Sequence, residues 1–320
     1  MDEKLVEKYE NQAKMLANKC MKRYKHLKKG YSKQNIDVFR LYDWDIPEIR
    51  AAVDYYAGRI VIAEYMRKQS DPMWLKIMGK ELLKQFGIDE SKLYLKERRM
   101  GFLDGNRYEK LDDSDEKIIV SERDLKFKVN LSDYVDTGLF SDHRNTRQMV
   151  RELSEGKDFL NLYSYTGAFT CYAAKGGAKS TVSVDRSLTA MNWARENMEL
   201  NNIPEDGHDF YRVPTYQFLE KAKKKEQIFE LAVVDPPSFS TSKNSRDSFD
   251  ISDDHPALLK KVIQVMVKGG TIFFSTNHQD FEPKMSSLGV RDFDEITSKT
   301  IPEDYKNKRK QIHRCWIIKV

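Results

Sequence analysis

The sequence predicts an α/β protein: a Rossmann-like sheet with helices on both faces, preceded by a smaller α+β module and an N-terminal basic helix. Three observations carry this. From about Lys157, the short apolar runs KDFLNLY, STVSVD, FELAVVD and GGTIFFST alternate with helical stretches such as SLTAMNWARENMELNN and HPALLKKVIQVMVKG. Apolar strands that alternate with helices imply a parallel sheet covered on both faces. Before that point, strands cluster around a single helix, the pattern of a separate α+β unit. At the start, one long 3.6-period stretch carries almost only positive charge. The expected division is 1–34 for the helix, 35–120 for the small module and 121–320 for the sheet domain, and 320 residues suffice for two cores.

In residues 5–34, Ala13, Leu16, Cys20, Tyr24 and Leu27 recur three and four apart and form one apolar stripe. Lys22, Lys25 and Lys29 fall on another face, with Arg23 beside them. Residues 11–33 hold eight Lys or Arg and no carboxylate, whereas the whole chain is only +5. Such a segregated run is the electrostatic footprint of a phosphate backbone, although a solvated face of a packed helix has the same look. In the module, IDVFRLYD, AAVDYYA and RIVIAEYM read as strands. DPMWLKIMGKELLKQFG reads as a helix capped by Asp71, opened by Pro72 and stopped by Gly87. KLYLKER and KIIVSERDLKFKVNL return to strands.

The three cysteines, Cys20, Cys171 and Cys315, suit neither a disulfide framework nor a zinc site, and a reducing cytoplasm is the expected setting. No apolar run approaches the roughly 18 residues of a membrane span. His143, His255 and His278 lie near expected loops without metal-ligand spacing and read as surface or packing groups, so no metal site is expected. The cluster Lys306, Lys308, Arg309 and Lys310 suits a solvated turn or an RNA contact equally.

Ligands on such sheets bind beyond the carboxyl ends of the strands, where strand order reverses. The first strand ends in NLYSYTG, with a single glycine, Gly167. A pyrophosphate wants several glycines, and no G-x-G-x-x-G occurs, which disfavours a dehydrogenase. A loop with one glycine and the small neighbours Ser164 and Thr166 suits S-adenosylmethionine, which has a sulfonium and no phosphate. The second strand ends on Asp185, where a carboxylate can accept from both ribose hydroxyls. The fourth ends on Asp235, followed by Pro236 and Pro237, which stiffen the chain and remove two donors. Phe239 then offers a ring on which a base can stack, worth about 1–3 kcal/mol per base.

NLYSYTGAFT, GGAKSTVSVD, VVDPPSFSTSK and the upstream DYVDTGLFSDHR together resemble the large-subunit rRNA methyltransferases of the class I, S-adenosylmethionine-dependent fold. They are most similar to the RlmK-type 23S rRNA guanine-N7 enzymes, in many bacteria the C-terminal half of a bifunctional RlmKL protein. The likeness runs from FRLYDWDIPE to RKQIHRCWII. It implies a donor site at Asn161, Tyr163, Ser164, Thr166, Gly167 and Asp185, with Asp235 near the reacting groups and with Asp142 and Arg144 against the donor from outside the sheet. It implies that the small module helps grip 23S rRNA or a large-subunit assembly particle; the basic run makes Lys22, Arg23, Lys25 and Lys29 expected RNA contacts, and Lys243 is another. It also implies a guanine-N2 methyltransferase partner, fused or separate. One departure is visible: after the third strand, where the family has an acid for the adenine amino group, this chain has Val213, Pro214 and Thr215.

Pyrimidine C5 methylation needs a cysteine nucleophile, and the places for one read DPPSF and FFSTNHQDF. Guanine N7 carries an in-plane lone pair and no proton, so it needs no general base. Guanine N2, another rRNA acceptor, and a non-catalytic RNA-binding assembly factor remain the alternatives.

Overall fold

The computed structural model describes residues 3–99, 112–240, 248–286, 288–306 and 310–320. Lys243, Lys308 and Arg309 lie outside the described residues. The chain divides into two compact units, Met1–Thr137 and Gly138–Val320.

The first unit opens with α1 (Glu3–Lys33), whose buried residues Ala13, Leu16, Ala17, Cys20, Leu27 and Tyr31 follow the predicted stripe. They share one core with α2 (Pro72–Phe86) and a four-stranded sheet. That sheet runs β1 (Val38–Asp43), β2 (Ala51–Tyr56), β3 (Arg59–Met66) and β4 (Leu93–Arg99). Its first two pairings are antiparallel; β3 and β4 pair in parallel, with α2 as the crossover. The signals read for α2 hold: Asp71 accepts from Met73 N–H, Pro72 begins the helix and Gly87 closes it in the left-handed conformation at φ 62°. Trp74 Nε1 donates to the buried Gln12 Oε1 at 2.7 Å, tying α2 to α1.

The boundary falls between Thr137 and Gly138, where the sequence suggested residue 120, and α1 belongs to the first core instead of standing alone. The reason is long-range pairing. The hairpin β5 (Ile118–Glu122) and β6 (Leu125–Val129) is tied to the start of β1 by the Ile36–Glu122 bridge, and Ser121 N–H donates to Asp37 Oδ1 at 2.7 Å.

Among its described residues, the second unit holds a seven-stranded sheet. Five strands run parallel: β7 (Asp158–Leu162), β8 (Ser180–Asp185), β9 (His208–Arg212), β10 (Phe229–Val234) and β13 (Met266–Thr276). β15 (Arg314–Lys319) is antiparallel and lies between β13 and β14 (Asp292–Glu295). The order is β9-β8-β7-β10-β13-β15-β14, so direction of winding reverses between β7 and β10. The strand residues alternate between two cores. Leu160, Val182, Ala232 and Ile272 pack with α6 (Thr215–Lys224) and α7 (Ile251–Ile263). Phe159, Leu231, Val233 and Phe273 pack with α3 (Arg144–Glu152) and α4 (Ala168–Lys175). The helix expected through Gly269 ends at Ile263, because Met266 already enters β13 and pairs with Phe229. No described helix is long and apolar enough to cross a membrane.

Candidate active site

The carboxyl ends of β7, β8 and β10 gather most of the residues singled out in the sequence. After β7 the backbone alternates: Tyr163 (φ 57°), Tyr165 (φ 48°) and Gly167 (φ 73°) are left-handed. For a residue other than glycine this costs about 1–3 kcal/mol and persists only where the surroundings over-determine it. Here they do. Ser164 N–H donates to Val184 O at 3.1 Å, Tyr165 N–H to Asp185 Oδ2 at 3.0 Å and Gly167 N–H to Ser164 O at 2.9 Å. Thr166 Oγ1 donates to Gly138 O at 2.5 Å, and Asn197 Nδ2 to Thr166 O at 2.9 Å. Gly167 is required twice over. Its φ is positive, and a Cβ there would meet Ala194 Cβ on α5 (Leu188–Leu200) at 2.8 Å. At Gly138, φ 99°, an added Cβ would come closer still, 2.3 Å from the Trp193 ring of that helix.

Asp185 is buried and fixed at both oxygens, accepting Tyr165 N–H and, at 2.9 Å, Ser187 N–H. These bonds fix the orientation of the carboxylate at the mouth of the sheet. The Ser164 hydroxyl is buried and finds no hydrogen-bond partner among the described residues. Tyr163 packs its ring against the α6–α7 core, and burial pushes its phenol up. Asn161 is not brought to the cleft. It shares the Phe159 face of β7, and its amide donates to Thr170 Oγ1 at 2.9 Å beneath α4. Val213 packs on the α6–α7 core and Thr215 opens α6, so the stretch that departs from the family pattern offers no acid.

Asp235 stands at the end of β10, accepting from Ser275 Oγ at 2.6 Å through Oδ1. Pro236 is buried and Pro237 half-buried, while Phe239 in β11 (Phe239–Ser240) is 43 % exposed. β11 pairs with β12 (Phe249–Asp250), and Ser238 Oγ donates to Asn277 Oδ1.

A cluster that the sequence did not reveal adjoins Asp235. His143 and His313 are buried and stacked, with ring centroids 4.1 Å apart and planes at 12°. His313 Nδ1 donates to Asp142 Oδ2 at 2.9 Å, and its Nε2 pairs with Thr300 Oγ1 at 3.0 Å. His143 Nε2 lies 3.6 Å from Asp142 Oδ2 and 3.9 Å from Asp235 Oδ2. His143 is therefore no surface group. Burial, then the adjacent His313, then Arg147 push its pKa below the ordinary histidine value, against Asp142 and Asp235. The Asp142, His143 and His313 ligand atoms lie within 4.8 Å of one another, close enough for a metal site. Near-parallel stacked rings, however, cannot aim two in-plane lone pairs at one ion.

Arg144 is buried away from the cleft, with Nη1 and Nη2 donating to Asp304 at 3.1 and 3.0 Å. Cys171 packs in α4, where burial pushes its thiol up to about 12, and Cys315 in β15 is raised for the same reason. On α1, in the other unit, Lys22, Lys25 and Lys29 are exposed and Arg23 half-buried.

A parallel sheet reversing direction at β7, a one-glycine loop and acids closing β8 and β10 define a class I, S-adenosylmethionine-dependent methyltransferase. Residues 68–294 match the model of the S-adenosylmethionine-dependent methyltransferase family. The chain is 40 % identical over 313 residues to the ribosomal RNA large subunit methyltransferase K of Neisseria meningitidis serogroup B, covering 95 % of this chain and 86 % of that protein. It is 41 % identical over 319 residues to the ribosomal RNA large subunit methyltransferase K/L of Photobacterium profundum, covering 97 % of this chain but 44 % of that longer protein. In fold it is similar to SMU.776, solved in complex with SAH, at TM-score 0.77 and 21 % identity, covering 96 % of this chain and 82 % of that one. The chain belongs to the S-adenosylmethionine-dependent methyltransferases, in the family of the ribosomal RNA large subunit methyltransferases K. Its cofactor is S-adenosylmethionine.

Proposed function

We propose that this protein transfers a methyl group from S-adenosylmethionine to N7 of a guanine in 23S rRNA, as naked rRNA or in a large-subunit assembly particle, in the cytoplasm. The observation that carries this reading is the set of carboxylates, Asp185 and Asp235 at strand ends with Asp142 and Asp235 both facing His143, together with the exposed ring of Phe239 four residues after Asp235. The names of the relatives supply the rRNA class.

The donor supplies a methyl group on a positively charged sulfur. The unpartnered Ser164 hydroxyl fits a polar group of the donor. Asp185 holds the ribose hydroxyls. The Tyr163–Gly167 backbone shapes the pocket around the tail, and Asn161 supports it from beneath through Thr170. Arg144 acts indirectly, by anchoring the segment that carries Asp142 and His143. A backbone group near Val213 takes the place of the adenine-binding acid. On the acceptor side, Phe239 stacks the guanine, Pro236 and Pro237 fix its approach, and Asp235 faces the ring. N7 needs no proton removed, and no thiolate is needed, in keeping with the raised thiols. Orienting N7 in line with the sulfur–methyl bond supplies much of the barrier lowering.

The test is incubation with isotope-labelled donor and undermodified 23S rRNA, followed by nucleoside mass spectrometry. 7-Methylguanosine is expected; N2-methylguanosine would replace this acceptor with the exocyclic amine, and no labelled nucleoside would leave a non-catalytic assembly factor. Asp185→Ala is expected to weaken donor binding by about 1–3 kcal/mol, the scale of a lost hydrogen bond to a charged group. Isothermal titration measures it, and unchanged affinity removes Asp185 from the site.

On α1, Lys22, Lys25 and Lys29 contact phosphates together with Arg23; Lys243 is a separate proposed RNA contact. Replacing all three exposed lysines by glutamate is expected to flatten the salt dependence of rRNA binding, by about 0.7–0.9 of slope per lost phosphate contact. An unchanged slope in a filter-binding series would turn this helix away from RNA. A guanine-N2 methyltransferase module is a proposed partner, since this chain spans less than half of the K/L relatives.

A further inference from the structure

Asp235 has one oxygen fixed by Ser275 and the other turned toward a buried imidazole. Asp142, His143, His313 and Asp235 converge from the segment before α3, the end of β10 and the start of β15. A hydrogen bond from His313 to Asp142 and the stack of His313 on His143 link the cluster, and His143 Nδ1 has no partner among the described residues. Packing alone would favour an apolar ring at this place. An imidazole is needed only if its Nε2 edge, which faces both carboxylates, matters.

We propose that His143 is a positioning residue for methyl transfer: its neutral imidazole, set between Asp142 and Asp235 and stacked on His313, holds the Asp235 carboxylate toward the acceptor and leaves its negative charge uncompensated. The inference rests on the methyl-transfer reading above. In that step the N7 lone pair forms the new carbon–nitrogen bond while the sulfur–methyl bond breaks. The electron pair of the broken bond stays on sulfur as a neutral thioether, and the positive charge moves to the guanine ring. No proton leaves during the step. A carboxylate nearer the ring than the sulfur therefore stabilises the transition state more than the ground state, in which the charge still sits on sulfur, and that difference is the condition for catalysis. A protonated His143, 3.9 Å from Asp235 Oδ2, would cancel that advantage.

The groups around His143 keep it neutral. Burial leads, His313 and Arg147 act in the same direction, Asp142 and Asp235 oppose them, and Phe169 of α4 presents its ring edge-on at 5.9 Å. Because the folded pKa lies below the unfolded one, the neutral form is secure above the ordinary histidine value. Transfer should fail as pH falls through the lower, folded value, and some stability falls with it.

Two readouts test this. The first is single-turnover transfer at saturating donor across about pH 5 to 8, the range in which histidine titrates. His143→Ala is expected to slow transfer about 30-fold while donor affinity stays within about threefold, less than the roughly 10²-fold or more of losing a direct electrostatic contact to the transition state. His143→Gln, a neutral polar side chain that cannot take a proton, should recover most of the rate and lose the acid limb of the wild-type profile. Circular dichroism at each pH separates unfolding from lost transfer. The second readout needs neither donor nor activity: the imidazole resonances of His143 should titrate below the ordinary value, and lower still in Asp235→Asn, which removes a charge that favours the imidazolium. Transfer by His143→Ala within threefold of wild type, an acid limb surviving in His143→Gln, or a titration midpoint unmoved by Asp235→Asn would each overturn the proposal. If wild-type protein methylates no nucleoside, the methyl-transfer reading fails, and the resonance titration still judges the His143–Asp235 contact.

Discussion

Arg144→Ala is expected to lower the stability of the protein by about 3–5 kcal/mol, the scale measured when one partner of a buried ion pair is removed. Both terminal nitrogens of Arg144 bond the Asp304 carboxylate, and the two side chains are 1 % and 0 % exposed. Truncating the arginine leaves a carboxylate with no water to solvate it. The pair joins two distant stretches, the turn entering α3 and the turn at Glu303–Tyr305, which Ser141 Oγ and Tyr305 Oη join again at 2.6 Å. Asp142 and His143 lie between these ties, so loosening them should slow transfer as well. Denaturant unfolding checks the main effect. The double variant Arg144→Met with Asp304→Leu, which removes both charges, should recover much of the loss. A loss below about 1 kcal/mol for Arg144→Ala, the range of an exposed pair, would mean that other contacts hold this corner.

Arg144 also marks how far the sequence could be read. Its motif pointed to the donor, because local sequence cannot show a partner 160 residues away. His313 was missed for the same reason. It reaches Asp142 only because β15 inserts antiparallel between β13 and β14, a long-range choice that no window of sequence encodes. What was legible is what local physics controls. Apolar runs marked the buried strands, and acids closing them marked Asp185 and Asp235. Asp71, Pro72 and Gly87 fixed the ends of α2, since capping depends on neighbours a few residues apart. Asn161 was readable in principle: strand alternation places it with Phe159, under α4 and away from the cleft. The boundary at Thr137 was not, because the β5–β6 hairpin returns to the start of β1 through the Ile36 bridge.

Asp235→Asn should slow methyl transfer about 10²-fold or more, the range found when one preorganised electrostatic contact to a transition state is removed. The substitution is nearly isosteric. The asparagine carbonyl can still accept from Ser275 Oγ, which bonds Asp235 at 2.6 Å, so the loop Pro236–Phe239 should keep its shape. What disappears is the charge. A carboxylate attracts the guanine ring as it becomes cationic, and once the bound acceptor covers the cleft that attraction is screened less than in bulk solvent. The ground state, a neutral ring, gains little from it, so acceptor affinity should change less than the transfer rate. This separates an electrostatic role from a binding role: single-turnover rates at saturating rRNA should fall, while rRNA affinity and donor affinity stay within about threefold, or less than one kcal/mol. If affinity for rRNA collapses and the saturated rate survives, Asp235 grips the acceptor without assisting the chemistry. Phe239→Ala provides the contrast, since loss of a stacking platform should weaken base capture by about 1–3 kcal/mol without changing the charge that the transfer step meets.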